Sequence, residues 1–79
     1  MSLSLHILTP EKTLYEGKST AIRFPGKDGL FQVLKDHAPL MASLTKGTIR
    51  INSNDGIRDI TIDGGVVEVS NNKVTVLAL

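Results

Sequence analysis

The chain contains no cysteine and no tryptophan, and its only aromatic residues are Tyr15, Phe24 and Phe31. Lack of cysteine rules out a disulfide framework and any thiolate metal site, so stability must come from packing. A reducing compartment is compatible with that. Three aromatics are too few for the stacking platform of a single-stranded nucleic-acid binder, and they are expected in the core. An excess of one charge is also missing: nine Lys plus Arg stand against eight Asp plus Glu, a net charge of +1. Lys18, Arg23, Lys27, Lys35, Lys46, Arg50, Arg58 and Lys73 form no run, so no nucleic-acid partner is indicated. No apolar stretch approaches the about 20 residues that cross a bilayer, and MSLSLHIL has neither a basic n-region nor a small-residue cleavage site. Neither bilayer insertion nor a secretion signal is expected.

Helical periodicity is missing too. The one candidate window, APLMASL at 38–44, is seven residues long and carries a proline near its start, so a short strand or single turn fits it better. What is present instead is period-2 alternation, the mark of strands with one buried and one wet face. Leu3, Leu5 and Ile7 alternate with Ser4 and His6, Ile49 and Ile51 with Thr48 and Arg50, and Ile60 and Ile62 with Thr61. Val67 and Val69 flank Glu68, and Val74 and Val76 flank Thr75. Turn formers punctuate these runs: PGKDG at 25–29, TKG at 45–47, NDG at 54–56 and NN at 71–72. The last two read as hairpin connections. DGG at 63–65 reads as a bend where a strand turns a sheet corner. With 79 residues there is room for one domain over 1–79, expected to be an all-β sandwich or barrel.

Signatures of chemistry are incomplete wherever they begin. EGKST at 16–20 ends like a phosphate-binding loop, but Lys12 stands where the first glycine is needed, and the surroundings read as strand. INSNDG at 51–56 looks oxygen-rich, yet Ile51 and Ser53 occupy two ligand positions of a calcium loop and no glutamate follows before Glu68. Asp59 and Asp63, if on one strand face, stand about 13 Å apart, too far for a carboxylate dyad. His6 falls on a polar strand face. His37 is the stronger candidate because Asp36 beside it could orient an imidazole, but no nucleophile or further metal ligand accompanies it. The residues support no catalytic site, no metal and no cofactor. They leave a small β module that works through a surface, with a free-standing β-barrel binding a ligand or nucleic acid as the alternative.

The order of motifs is more specific than any one of them. LTPEKTLYEG (8–17), FPGKDGLFQVLKDHAPLMASLTKGTIRI (24–51) and DGGVVEVSNNKVTVLAL (63–79) together resemble the N-terminal β-domain of the epsilon subunit of bacterial and chloroplast F-type ATP synthases. That resemblance implies a flattened β-sandwich of two antiparallel sheets and a non-catalytic rotor part in the central stalk. It sits between the gamma subunit and the proteolipid ring, among the other ATP synthase subunits, and helps couple proton flow to ATP synthesis. It implies a peripheral position on the cytoplasmic face of the bacterial plasma membrane. By the same resemblance Thr9, His37, Ala42 and Asp63 face gamma, while Lys27, Asp28, Gly29 and Leu30 form the loop facing the ring. The chain departs from the family at Leu30, where many relatives have an acid, at Gln32, commonly glycine, and at Lys35, commonly proline. The family usually continues into a helical hairpin, whose inhibitory and nucleotide-binding roles are not assigned to these residues.

Overall fold

The alternating segments become nine strands in a computed structural model that describes residues 2–79. They are β1 (Leu3–Leu8), β2 (Thr13–Ser19), β3 (Ala21–Gly26), β4 (Gly29–Leu34), β5 (Leu40–Leu44), β6 (Gly47–Ser53), β7 (Gly56–Ile62), β8 (Gly65–Ser70) and β9 (Lys73–Ala78). No helix occurs among the described residues. APLMASL supplies β5, a strand. Five of the strands bury alternate apolar side chains: Leu3, Leu5 and Ile7 of β1, Ile22 and Phe24 of β3, Ile49 and Ile51 of β6, Val67 and Val69 of β8, and Val74 and Val76 of β9. Removing these side chains from water is the main favourable term in folding, about 1.5–3 kcal/mol for each fully buried one.

Three tight turns make local hairpins. Asn71 and Asn72 join β8 to β9 with φ of 50° and 62°, the left-handed pair a type I′ turn requires and asparagine tolerates. Lys27–Asp28 closes β3 on β4 through the pair Gly26 and Gly29, and Asn54–Asp55 closes β6 on β7 through Ser53 and Gly56. The expected bend at DGG turns out to be a break. The chain leaves β7 after Ile62 and re-enters as β8 at Gly65, because the two strands lie in different parts of the structure. The crossing is made with Gly64 and Gly65 at φ of 142° and 149°, backbone that residues with a Cβ avoid.

Hydrogen bonding links the strands in the order β2-β1-β9-β8-β5-β3-β6-β7, with β4 on the other side of β3. Between β5 and β3 the only paired residues are Leu44 and Gly26, so the path folds there into two sheets, β2-β1-β9-β8-β5 and β4-β3-β6-β7. Pro25 sits beside this corner. A strand proline offers no N–H to a ladder, and here β3 changes partner around it, from β6 as far as Arg23 to β5 at Gly26. The Pro25 carbonyl accepts instead from Thr45 N at 2.9 Å. At the other end of the path β2 and β7 approach each other, with the Arg58 guanidinium 5.5 Å over the Tyr15 ring. The sandwich is therefore nearly a closed barrel, 29 × 23 × 18 Å in extent. All strand pairs are antiparallel except one: β1 runs parallel to β9.

Candidate docking surfaces

Strand register distributes the expected site residues over both ends of the sandwich. At one end the β4–β5 connection meets the β8–β9 turn. Asp36 takes a φ of 65°, which turns its backbone N–H and carboxylate toward Asn72, 36 residues away in sequence. Asp36 N donates to Asn72 Oδ1 at 2.6 Å, and Asn72 Nδ2 donates back to Asp36 Oδ1 at 3.1 Å. Lys35 Nζ lies 3.4 Å from the other carboxylate oxygen. Asp36 thus anchors a loop and does not orient His37, contrary to what adjacency suggests. His37 N donates to the Leu34 carbonyl at 3.1 Å, and its Nδ1 lies 2.7 Å from the Ala38 carbonyl oxygen. A carbonyl only accepts, so Nδ1 is the donor of that contact. The half-buried His37 is an oriented ring on a pinned loop.

Hydrogen bonds from Asn72 and then from Lys35 hold the Asp36 carboxyl below the ordinary carboxylate range. A group with a lowered folded value stabilises the fold fully above its unfolded value, and that contribution is lost as pH falls through the folded value. Asn72→Ala is therefore expected to lower the melting temperature near neutral pH and to shrink the further drop on going to about pH 3. Thermal unfolding at both pH values checks this, and an undiminished acid-induced drop in Asn72→Ala would contradict it.

The opposite end holds the remaining residues. The Lys27–Asp28 turn is tied to β5 by Lys27 N donating to Ser43 O at 3.0 Å. Lys27, Asp28, Gly29 and Leu30 then line one cleft together with Phe31, Met41 and Ala42. Asp63 lies in a neighbouring hollow with Lys27, Lys46 and Leu79. Thr9 follows β1 at this end, and its hydroxyl is engaged locally: it accepts from Lys12 N at 3.0 Å and donates to Lys12 O at 3.1 Å. Of the four residues expected to face gamma, Ala42 and Asp63 therefore border the turn expected to face the ring. His37 stands at the far end of the strands, about 17 Å away along five residues of sheet.

Two features escaped the sequence reading. On the outer face of the first sheet, Val66, Leu77 and Leu8 form a cross-strand row, with Met41 nearby on β5 at 71% exposure. On the outer face of the second sheet, Gln32, Arg23, Arg50 and Asp59 form another. Alternation signals that these side chains point outward, but only the register shows them side by side. Asp59 receives both Arg50 Nε at 3.0 Å and Arg50 Nη2 at 3.2 Å, and its carboxyl is lowered chiefly by that hydrogen bonding, with a smaller contribution from Arg23. Among the described residues no group of three or more His, Cys, Asp or Glu is placed to hold a metal ion. Nor is there among them a helix long and apolar enough to cross a membrane.

A family model described as the β-sandwich domain of the delta/epsilon chain of ATP synthase matches residues 2–79. The chain belongs to this family. The ATP synthase epsilon chain of Chlorobium limicola is 44% identical over 77 residues, covering 96% of this chain and 88% of the relative. That of Leptospira borgpetersenii serovar Hardjo-bovis is 37% identical over 75 residues, and there the match spans 59% of the relative's length. A chain of the Euglena gracilis mitochondrial ATP synthase, solved with OSCP, F1 and c-ring, superposes with a TM-score of 0.90 at 19% identity over 98% of this chain and 50% of its own. A chain of the Tetrahymena thermophila mitochondrial central stalk and c-ring superposes at 0.84 with 16% identity, over 100% of this chain and 64% of its own. At such identities the superpositions speak for the delta/epsilon sandwich fold alone. The homologous epsilon chains are subunits of a larger complex.

Proposed function

We propose that this delta/epsilon domain is a non-catalytic rotor component of the central stalk, docking the gamma subunit onto the proteolipid ring and helping to couple proton flow to ATP synthesis. The observation that carries this reading is the match to epsilon chains across nearly the whole chain, 96% of it for the Chlorobium relative. The surface supports it: apolar side chains at Met41, Leu77 and Leu30 are 59–71% exposed, an arrangement that a partner covers. Thr9, His37, Ala42 and Asp63 serve the gamma side, spread between the two ends of the strands. Lys27, Asp28, Gly29 and Leu30 serve the ring. The domain then lies peripherally at the cytoplasmic face of a bacterial membrane, held by the complex.

Co-expression with the cognate gamma subunit followed by size-exclusion chromatography tests the reading; one-to-one co-elution supports it, and separate elution of a folded chain counts against it. His37→Ala is expected to weaken the gamma complex on the order of fivefold, the effect of a single polar interface contact worth ~1 kcal/mol, with the melting temperature retained. Unfolding of His37→Ala would instead assign the ring a structural role.

A further inference from the structure

The row Arg23, Arg50 and Asp59 contains a conflict that the fold itself leaves in place. Arg23 and Arg50 are direct cross-strand partners on one sheet face, and like charges so placed oppose folding. Asp59, opposite Arg50 on β7, engages Arg50 with both oxygens. Among the described residues Arg23 has no ion pair, and neither does Lys46. Arg23, Lys46 and Arg50 line one open hollow with the hydroxyl residues Thr45 and Thr48. Three cations line it and no acid does, on a chain whose net charge is only +1.

Gly29 and Leu30 line the same hollow, making it continuous with the turn assigned to the proteolipid ring. We propose that this hollow accepts a carboxylate-bearing loop of the ring, with the carboxylate set between Arg23 and Lys46 and flanked by Arg50. The inference rests on the ring-facing reading and deepens it. An incoming carboxylate supplies the second acid that the Arg23–Arg50 opposition lacks, and a guanidinium binds it through paired N–H donors. The threonine hydroxyls offer further donors. Leu30, at 71% exposure, gives the rim an apolar contact, so that charge selects the partner and Leu30 adds buried area.

The complex of this chain with its gamma subunit, mixed with the detergent-solubilised proteolipid ring of the same organism, gives the test. Retention on the ring is measured as a function of salt. Arg23→Gln is expected to raise the dissociation constant about tenfold and to flatten its salt dependence. Arg58→Gln, whose guanidinium stacks on Tyr15 outside the hollow, is expected to bind as the unmodified protein does. Amidating the ring's exposed carboxylates is expected to reproduce the loss with the unmodified chain and to add nothing to Arg23→Gln. The melting temperature of Arg23→Gln is expected to equal or exceed that of the unmodified chain, because the like-charge opposition is gone; a lower one would mark Arg23 as structural. If the unmodified complex binds the ring and Arg23→Gln binds equally well, this inference falls and the ring-facing reading stands. If the unmodified complex is not retained, both fall. Loss of binding to phosphatidylglycerol vesicles in place of the ring would identify a lipid headgroup as the occupant and overturn the proposal.

Discussion

Gly65→Ala is expected to abolish the cooperative unfolding transition of the domain. A Cβ at this position would stand 2.3 Å from the Leu77 carbonyl oxygen and 3.0 Å from Ala78 Cα. Both are backbone atoms of β9, so no rotamer change relieves the clash. Gly65 pairs with Ala78 on one side and with Leu44 on the other, and any shift of its backbone disturbs both ladders. The φ of 149° alone costs a residue with a Cβ about 1–3 kcal/mol, and the clash raises the total to at least about 4 kcal/mol, the range of the most damaging substitutions. A chain this size has roughly 4–12 kcal/mol of stability in all. Gly64→Ala is the comparison: its Cβ meets Leu79 Cδ1 at 3.2 Å, the mobile end of a side chain, so only the backbone strain is felt. Urea unfolding followed by far-ultraviolet circular dichroism separates the two, and a Gly65→Ala midpoint no lower than that of Gly64→Ala would refute the account.

Phe24→Ala is expected to cost about 3–5 kcal/mol, the usual loss for a fully buried aromatic. Phe24 is the largest fully buried side chain of the core, and its ring stacks on Phe31 with centroids 5.4 Å apart and an interplanar angle of 28°. Phe31 is half-buried, so Phe31→Ala loses less, about 1–2 kcal/mol. The double variant is expected to recover about 0.5–1.5 kcal/mol of coupling. A purely additive pair would show that the rings merely adjoin. Since Phe31 follows Leu30 at the base of the docking turn, the Phe24→Ala domain is also expected to present that turn less rigidly.

Much of this architecture was legible in the chain because it is local. Leu3, Leu5 and Ile7 show their buried face by alternation alone, and Asn71–Asn72 shows its turn by the φ values that asparagine tolerates. Non-local features were not. The parallel pairing of β1 with β9 leaves no trace in either segment, since β1 alternates identically whatever strand lies beside it. Arg23 and Arg50 are 27 positions apart in sequence, and only register makes them neighbours. Asp36 beside His37 invited a reading by adjacency, which the positive φ of Asp36 undoes by sending the carboxylate to Asn72. Asp63 looked like a strand residue on the Asp59 face, but the crossover at Gly64 lifts it out of the sheet. The resemblance that assigned gamma-facing residues carried no coordinates, and so did not reveal that His37 and Asp63 lie at opposite ends.

The parallel pairing of β1 with β9 has a consequence for synthesis on the ribosome. Chains emerge N-terminus first at about 5–20 residues per second, so β1 is available seconds before its partner exists. During that interval β1 can pair with β2 on one side, while its other edge, with Leu5 and Ile7 still unburied, is open to any extended segment nearby. The sandwich closes only when Lys73–Ala78 clears the exit tunnel and slides between β1 and β8. Closure is thereby governed by a contact between the first and ninth strands of the domain, which topology makes slow relative to local hairpin closure. Overproduction of this domain would therefore be limited by how long the half-made sheet waits for its last strand.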